Sequence, residues 1–206
     1  HLEYFNEAGF FGYEEDLGVK IQGGRSSRNK PMKPLRLLAK GEFGATKMDY
    51  PIFPDREISD FKRLVLRNSG GDFNQAHFRD GFVHKLLIRD GIDVDALAYR
   101  PVVVYLNGEY WGIHNLRERV DEHYLKYHYD VNENELDLLS EDTIAFVGDF
   151  EAFNEMKEFV LNNDMSVIEN YEQASEMIDI PAYCNYFITE TSVSYTHLTL
   201  PTMFEV

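Results

Sequence analysis

Residues 99–125 read YRPVVVYLNGEYWGIHNLRERVDEHYL, and this stretch decides the fold class. Val102, Val104 and Leu106 alternate with Val103 and Tyr105, so both faces of a first strand are apolar and that strand is expected inside a sheet. Asn107-Gly108 supplies the two positive-φ residues of a type I′ turn, and a second strand follows from Glu109 to about Arg117. Val120, Tyr124 and Tyr127 then recur at helical spacing, with Asp121 and Glu122 in a first turn where the helix dipole favours acids. A hairpin that runs straight into a helix is predicted, and Glu118 sits where the sheet ends.

On the N-terminal side the chain reads as strands. Leu2–Phe5, Gly18–Gln22, Pro34–Ala39 and Arg63–Arg67 are candidates, parted by turns at Gly23-Gly24 and Phe53-Pro54-Asp55. One helix interrupts them. Phe78, Phe82, Val83, Leu86 and Leu87 predict it over Gln75–Arg89, with Asp72 or Asn74 capping its start. On the C-terminal side the remainder is expected to be helical. Phe146, Phe150, Phe153, Met156 and Val160 form one stripe, Ser166 with Glu169 makes a capping box, and Pro181 opens a helix carrying Tyr183, Phe187 and Ile188. The order of elements is that of an α+β chain.

A 206-residue chain that is 44% hydrophobic can bury a sizeable core. The formal net charge of −16 argues against nonspecific nucleic-acid binding and against adhesion to an anionic membrane. No run reaches the roughly 18 apolar residues of a membrane span. The charge is divided along the chain. Lys20, Arg25, Arg28, Lys30, Lys33, Arg36, Lys40 and Lys47 share a segment whose only acid is Glu42, whereas Lys157 is the only base between Asp130 and Ile180. Such a division suits polyphosphate on one side and metal or a basic substrate on the other, and it equally suits two solvated faces. Cys184 stands alone, which excludes a disulfide framework. On its apolar helix face it is expected to be core.

Four segments, VVVYLNGEYWGIHNLRERVDEHYL (102–125), IQGGRSSRNKPMKPLRLLAK (21–40), DYPIFP (49–54) and FKRLVLRNSGGDFNQAHFRD (61–80), resemble the CotH family in order and spacing. These are bacterial spore-coat and surface proteins regarded as atypical protein kinases. The resemblance implies a protein-kinase-like fold, with a β-rich N-terminal lobe over residues 1–117 that packs one helix, a hairpin and hinge, and a truncated helical C-terminal lobe over 118–190. It implies ATP and Mg²⁺ as cofactors, Ser or Thr of a coat or secreted protein as acceptor, and a spore-coat, cell-surface or secreted location.

The resemblance also distributes roles among residues. Gly23 and Gly24 would approach phosphates through backbone N–H groups, Lys33 matches the family's lysine, and Arg36 matches a basic position beside it. Asp80 is the candidate acid on the helix that fixes the phosphate-binding lysine, and Glu118 would lie at the hinge beside an adenine edge. Read without the family, Gly23-Gly24 is a plain turn, Arg67, Asn68, Asp72, Arg79 and Asp80 are capping and loop groups, and Glu118 is an exposed acid at a helix start.

One part of the family pattern is missing. The helix IPAYCNYFITE (180–190) should be followed by an Asp, an Asn five residues later, and a second Asp segment. Here SVSYTHLTLPTMFEV (192–206) has no Asp, Asn, Lys or Arg, and residues 191–206 read as a non-native, adapter-like tail. No catalytic or metal residue is assigned, and the chain as given is expected to be inactive. The alternative is a noncatalytic coat or surface scaffold. His77, His84, His114, His123 and His128 show no metal-site spacing and read as surface or hydrogen-bonded histidines.

Overall fold

The computed structural model describes residues 1–140 and 143–193, and within them the chain is a mixed α+β protein. It divides into two compact units, His1–Gly91 with Ala96–Tyr124, and Ile92–Asp95 with Leu125–Val206.

The first unit is built on β1 (Leu2–Phe5), β2 (Phe11–Glu15), β3 (Gly18–Ile21), α1 (Arg25–Arg28), β4 (Leu35–Leu38), β5 (Met48–Asp49), β6 (Asp60–Phe61), β7 (Arg63–Arg67), α2 (Arg79–Asp90), β8 (Tyr99–Leu106) and β9 (Glu109–Glu118). Its main sheet is antiparallel, with strand order β3-β4-β7-β9-β8. Alternation sorts the side chains of that sheet. Leu35, Leu37, Leu64, Leu66 and Leu116 join Met48, Ile52, Phe53 and Phe61 in the buried core. Arg36, Val65, Arg117 and Tyr99 stand in one cross-strand row on the other face. There α2 comes so close that a Cβ on Gly81 would lie 2.8 Å from the Tyr99 ring. The remaining strands of this unit form two-stranded ribbons, β1-β2 and β5-β6.

The hairpin follows the sequence at its turn and departs from it at its edge. Asn107 (φ 53°) and Gly108 (φ 82°) supply the two left-handed residues, and β9 is buried from His114 to Glu118. The first strand, β8, lies at the edge of the sheet and not inside it. Val103 is 56% exposed and Tyr105 62%. An apolar pattern reports the two faces of a strand and says nothing of its lateral neighbours. Pro101 was the signal for an edge, because it has no N–H to give to a further strand.

Helix α2 starts at Arg79, four residues later than the periodicity predicts. Ser69 and His77 adopt positive φ, and the carboxylate of Asp72 accepts the N–H groups of Ala76 and Arg79. Asp72 thereby closes a loop ahead of the helix, which ends at Gly91 with φ 63°.

The second unit holds most of α3 (Glu122–Tyr129), whose start is capped by the Asp121 carboxylate, and then β10 (Leu138–Ser140), β11 (Ile144–Val147), α4 (Glu151–Asn162), α5 (Ile168–Met177) and α6 (Ile180–Ser192). The β10-β11 hairpin corrects the all-helical expectation, since Phe146 belongs to β11 and not to the stripe of α4. Gly148 (φ 64°) separates the two elements, and Asp137 accepts the Asp149 N–H at 2.8 Å. The capping box is also absent: Ser166 gives its N–H and hydroxyl to Asp164, and α5 begins at Ile168 without a side-chain cap. The start at Pro181 is as read, with Asp179 accepting the Ala182 N–H at 3.0 Å. Cys184 is exposed and not core, and no residue of α6 is fully buried. Apolar spacing marks what a helix could bury, whereas burial needs a covering layer. Most of the expected non-native tail, residues 194–206, lies outside the described residues, while α6 itself runs on through Ser192.

Candidate functional site

The candidate residues on the segment between β3 and β4 are held by side chains from the rest of the sheet. Asn68, fully buried just after β7, donates its side-chain amide to the Ser27 carbonyl (3.0 Å) and the Met32 carbonyl (2.6 Å). His114 on β9 bonds the Lys33 carbonyl at 3.0 Å. Three carbonyls of residues 22–34 are thus tied down. Gly23 takes φ 89°, and Gly24 leads into the single turn of α1 with nothing within 4 Å of where a Cβ would stand. Lys33 turns its ammonium to the Arg28 carbonyl at 2.6 Å, closing that turn.

Asp80 lies on the face of the sheet that carries Arg117 and Tyr99. Its Oδ2 meets Arg117 at 2.7 Å and Arg67 at 2.9 Å, and its Oδ1 accepts the Gly81 N–H at 2.8 Å. Burial pushes the carboxyl up, but Arg67 and Arg117 more than reverse this and hold it below the usual range. Among the described residues no Lys33–Asp80 contact is present; arginines take the place of the expected lysine. His84, on the same helix, accepts the Leu97 N–H at 3.1 Å. Burial, aided by the charge of Arg117, pushes its pKa down to about 3, so the ring is neutral.

Arg36 stands one strand away, close to Arg63 and Arg119. Its pKa is lowered by burial first and then by those two like charges, and among the described residues its buried Nε has no hydrogen-bond partner. Asp121 compensates part of this charge, pairing with Arg63 at 2.8 Å and Arg119 at 3.4 Å. Glu118 is buried, not an exposed acid. Its carboxylate accepts the Ala98 N–H at 2.7 Å and lies 3.7 Å from Arg56, and its own N–H is used by the Ala98 carbonyl.

Sequence reading named Lys33, Arg36, Asp80 and Glu118 as candidates but not which pairs form. Asn115 was the unread signal, because a buried polar side chain on a strand must find a partner. Asn115 finds two, Ser69 Oγ at 2.6 Å and the His77 carbonyl at 2.9 Å. His77, His84 and His114 are hydrogen-bonded, in keeping with the reading of the histidines as surface or hydrogen-bonded groups. The one metal-type cluster among the described residues, His1, Glu3 and Glu14, is exposed on the β1-β2 ribbon.

A family model described as CotH kinase protein matches residues 19–197. The chain belongs to the CotH kinase family. The matched span contains every side chain described above from Gly23 to Asp121, and membership carries a relationship to atypical kinases, which use ATP. Searches of curated proteins and of solved structures returned no match. Among the described residues of this CotH kinase family member, no helix is long and apolar enough to cross a membrane.

Proposed function

We propose that this CotH-family chain binds ATP through its first unit, as part of a protein kinase that transfers the γ-phosphate to Ser or Thr of a coat or secreted protein. The observation that carries the reading is the tethering of residues 22–34. A Gly-rich segment between the first two strands of the sheet is fixed to its third and fifth strands in chain order by Asn68 and His114, and a helix bearing Asp80 follows the third strand in the chain. Kinases use a Gly-rich loop over the phosphates, a cation on the third strand and an acid on the helix after it. In this reading β3 to β9 with α2 correspond to an N-terminal lobe, and Glu118 ends it at the hinge.

Gly23 and Gly24 present backbone to the phosphates, Lys33 adds a point charge on the same segment, and Arg36 adds a guanidinium on the strand that follows. Magnesium, implied by kinase chemistry, does not fit the carboxylates found here. Asp80, Glu118 and Asp121 each face arginine, so no step is assigned to the metal. None of the named residues is assigned as catalytic base.

Isothermal calorimetry of the 206-residue chain with ATP tests the reading. Saturable binding is expected, with Lys33→Ala weakening it; absence of binding overturns the assignment. No phosphate transfer to the chain or to a Ser-rich peptide is expected, because residues 192–206 hold no Asp or Asn, and labelled product would refute this. The scaffold reading draws on the exposed Val103, Tyr105, Tyr110 and Ile113 of the hairpin, and it predicts that ATP does not bind.

A further inference from the structure

The cluster around Asp80 contains two guanidinium groups and one carboxylate, and the two arginines differ in what they can do. Arg117 on β9 is buried, with 5% of its side chain exposed, and it meets Asp80 Oδ2 at 2.7 Å. Arg67, at the end of β7, shares that same oxygen at 2.9 Å while 46% of its side chain faces solvent. Both contacts fall on Oδ2, while Oδ1 accepts the Gly81 N–H. One carboxylate against two guanidinium groups leaves a net positive charge, and the arginine able to present it is Arg67. His84 adds no charge, since it accepts the Leu97 N–H and is neutral.

The position of Arg67 along the chain matters as much as its charge. The next residue, Asn68, holds the Ser27 and Met32 carbonyls, so the end of β7 and the Gly-rich segment are bound together. Gly70 continues the contact. A Cβ there would stand 3.3 Å from Ser27 Oγ and 4.0 Å from Arg67 Nη2, so the guanidinium lies at the side of the segment that carries Gly23 and Gly24. Lys33 lies on that segment too, with one N–H of its ammonium given to the Arg28 carbonyl and two left over.

From this geometry we propose that Arg67 is the side chain that grips the nucleotide polyphosphate, and that Asp80, itself anchored by buried Arg117, is the residue that aims it. The assignment rests on the ATP-binding reading above. A guanidinium already held by a carboxylate through Nη2 keeps its remaining N–H groups for phosphate oxygens, and its planar fork favours two parallel bonds to one phosphate. The aim is set before the nucleotide arrives, so little side-chain entropy is lost on binding. Lysine at this position keeps the charge and loses the fork.

The test measures the affinity of the full chain for ATP and for adenosine in wild type, Arg67→Gln, Arg67→Lys and Asp80→Asn, with circular dichroism melts to check folding. Arg67→Gln is expected to weaken ATP about tenfold, the loss of a charge-assisted bidentate contact, while adenosine binds within about twofold of wild type. Arg67→Lys is expected to fall between, and Asp80→Asn to weaken ATP by less than Arg67→Gln while also sparing adenosine. ATP affinity unchanged in Arg67→Gln overturns the proposal and leaves the ATP-binding reading standing. Equal loss of ATP and adenosine overturns it as well, since a structural defect would do that. Wild type that binds neither molecule removes the ATP-binding reading, and this assignment with it.

Discussion

His84 shows how far a single residue is remade by its surroundings. The imidazole accepts the Leu97 N–H among arginines, and burial with the Arg117 charge takes its pKa from an ordinary 6.5 to about 3. Its folded form therefore stays neutral where the unfolded chain has already bound a proton. The stability it contributes is complete above about pH 6.5 and is lost as pH falls toward 3, by up to about 1.4 kcal/mol for each pH unit. His114, pushed down mainly by its own burial, acts in the same direction. Asp80 acts only in stronger acid, because its lowered carboxyl releases stability below the unfolded value near 3.8. Urea unfolding from pH 8 to pH 5 should show a decline that begins near 6.5 and is shallower in His84→Gln. An unchanged slope in that variant would contradict the neutral, buried imidazole. None of this was legible from the heptapeptide around His84. Its charge state depends on arginines from β7 and β9, which are distant in sequence.

At the level of elements, the contact of α2 with the sheet is the most constrained. Gly81 is the one buried residue of α2, and a Cβ there would come within 2.8–2.9 Å of three atoms of the Tyr99 ring. Helix propensity alone favours alanine over glycine by about 1 kcal/mol. Overpacking against an aromatic ring costs about 1–3 kcal/mol. Gly81→Ala is therefore expected to destabilise the protein by up to about 2 kcal/mol, and most of that loss should vanish in a Tyr99→Leu background. A stabilising Gly81→Ala would show that α2 can move away from β8. The same contact carries the candidate site, because it sets the height at which Asp80 meets Arg67 and Arg117. The strands of this region were readable, since β7 coincides with the predicted Arg63–Arg67 and β4 falls within Pro34–Ala39. The β10-β11 hairpin was not, because three- and four-residue strands give too little alternation to compete with a neighbouring helical stripe.

Over the whole molecule, charge is the dominant property. A net charge of −16 on 206 residues makes the folded state repel itself at low ionic strength. Raising sodium chloride from about 20 mM to about 300 mM shortens the screening length several-fold and should raise the melting temperature by several degrees. A fall in melting temperature would mean that the ion pairs of the Arg63–Asp121 and Arg67–Asp80 groups outweigh the general repulsion. The sequence by itself determined the α+β class, the turn at Asn107-Gly108, the strand at Arg63–Arg67 and the CotH kinase family. Each of these is written in residues close together in the chain, through backbone preference, alternation or contiguous motif. Only the tertiary structure decided that β8 is an edge strand, that Cys184 is exposed, that Glu118 is buried against Ala98 and Arg56, and that Asp80 pairs with Arg67 and Arg117 and not with Lys33. Lateral strand order, covering layers and ion-pair partners are chosen by groups tens of residues apart, and local spacing carries no record of that choice.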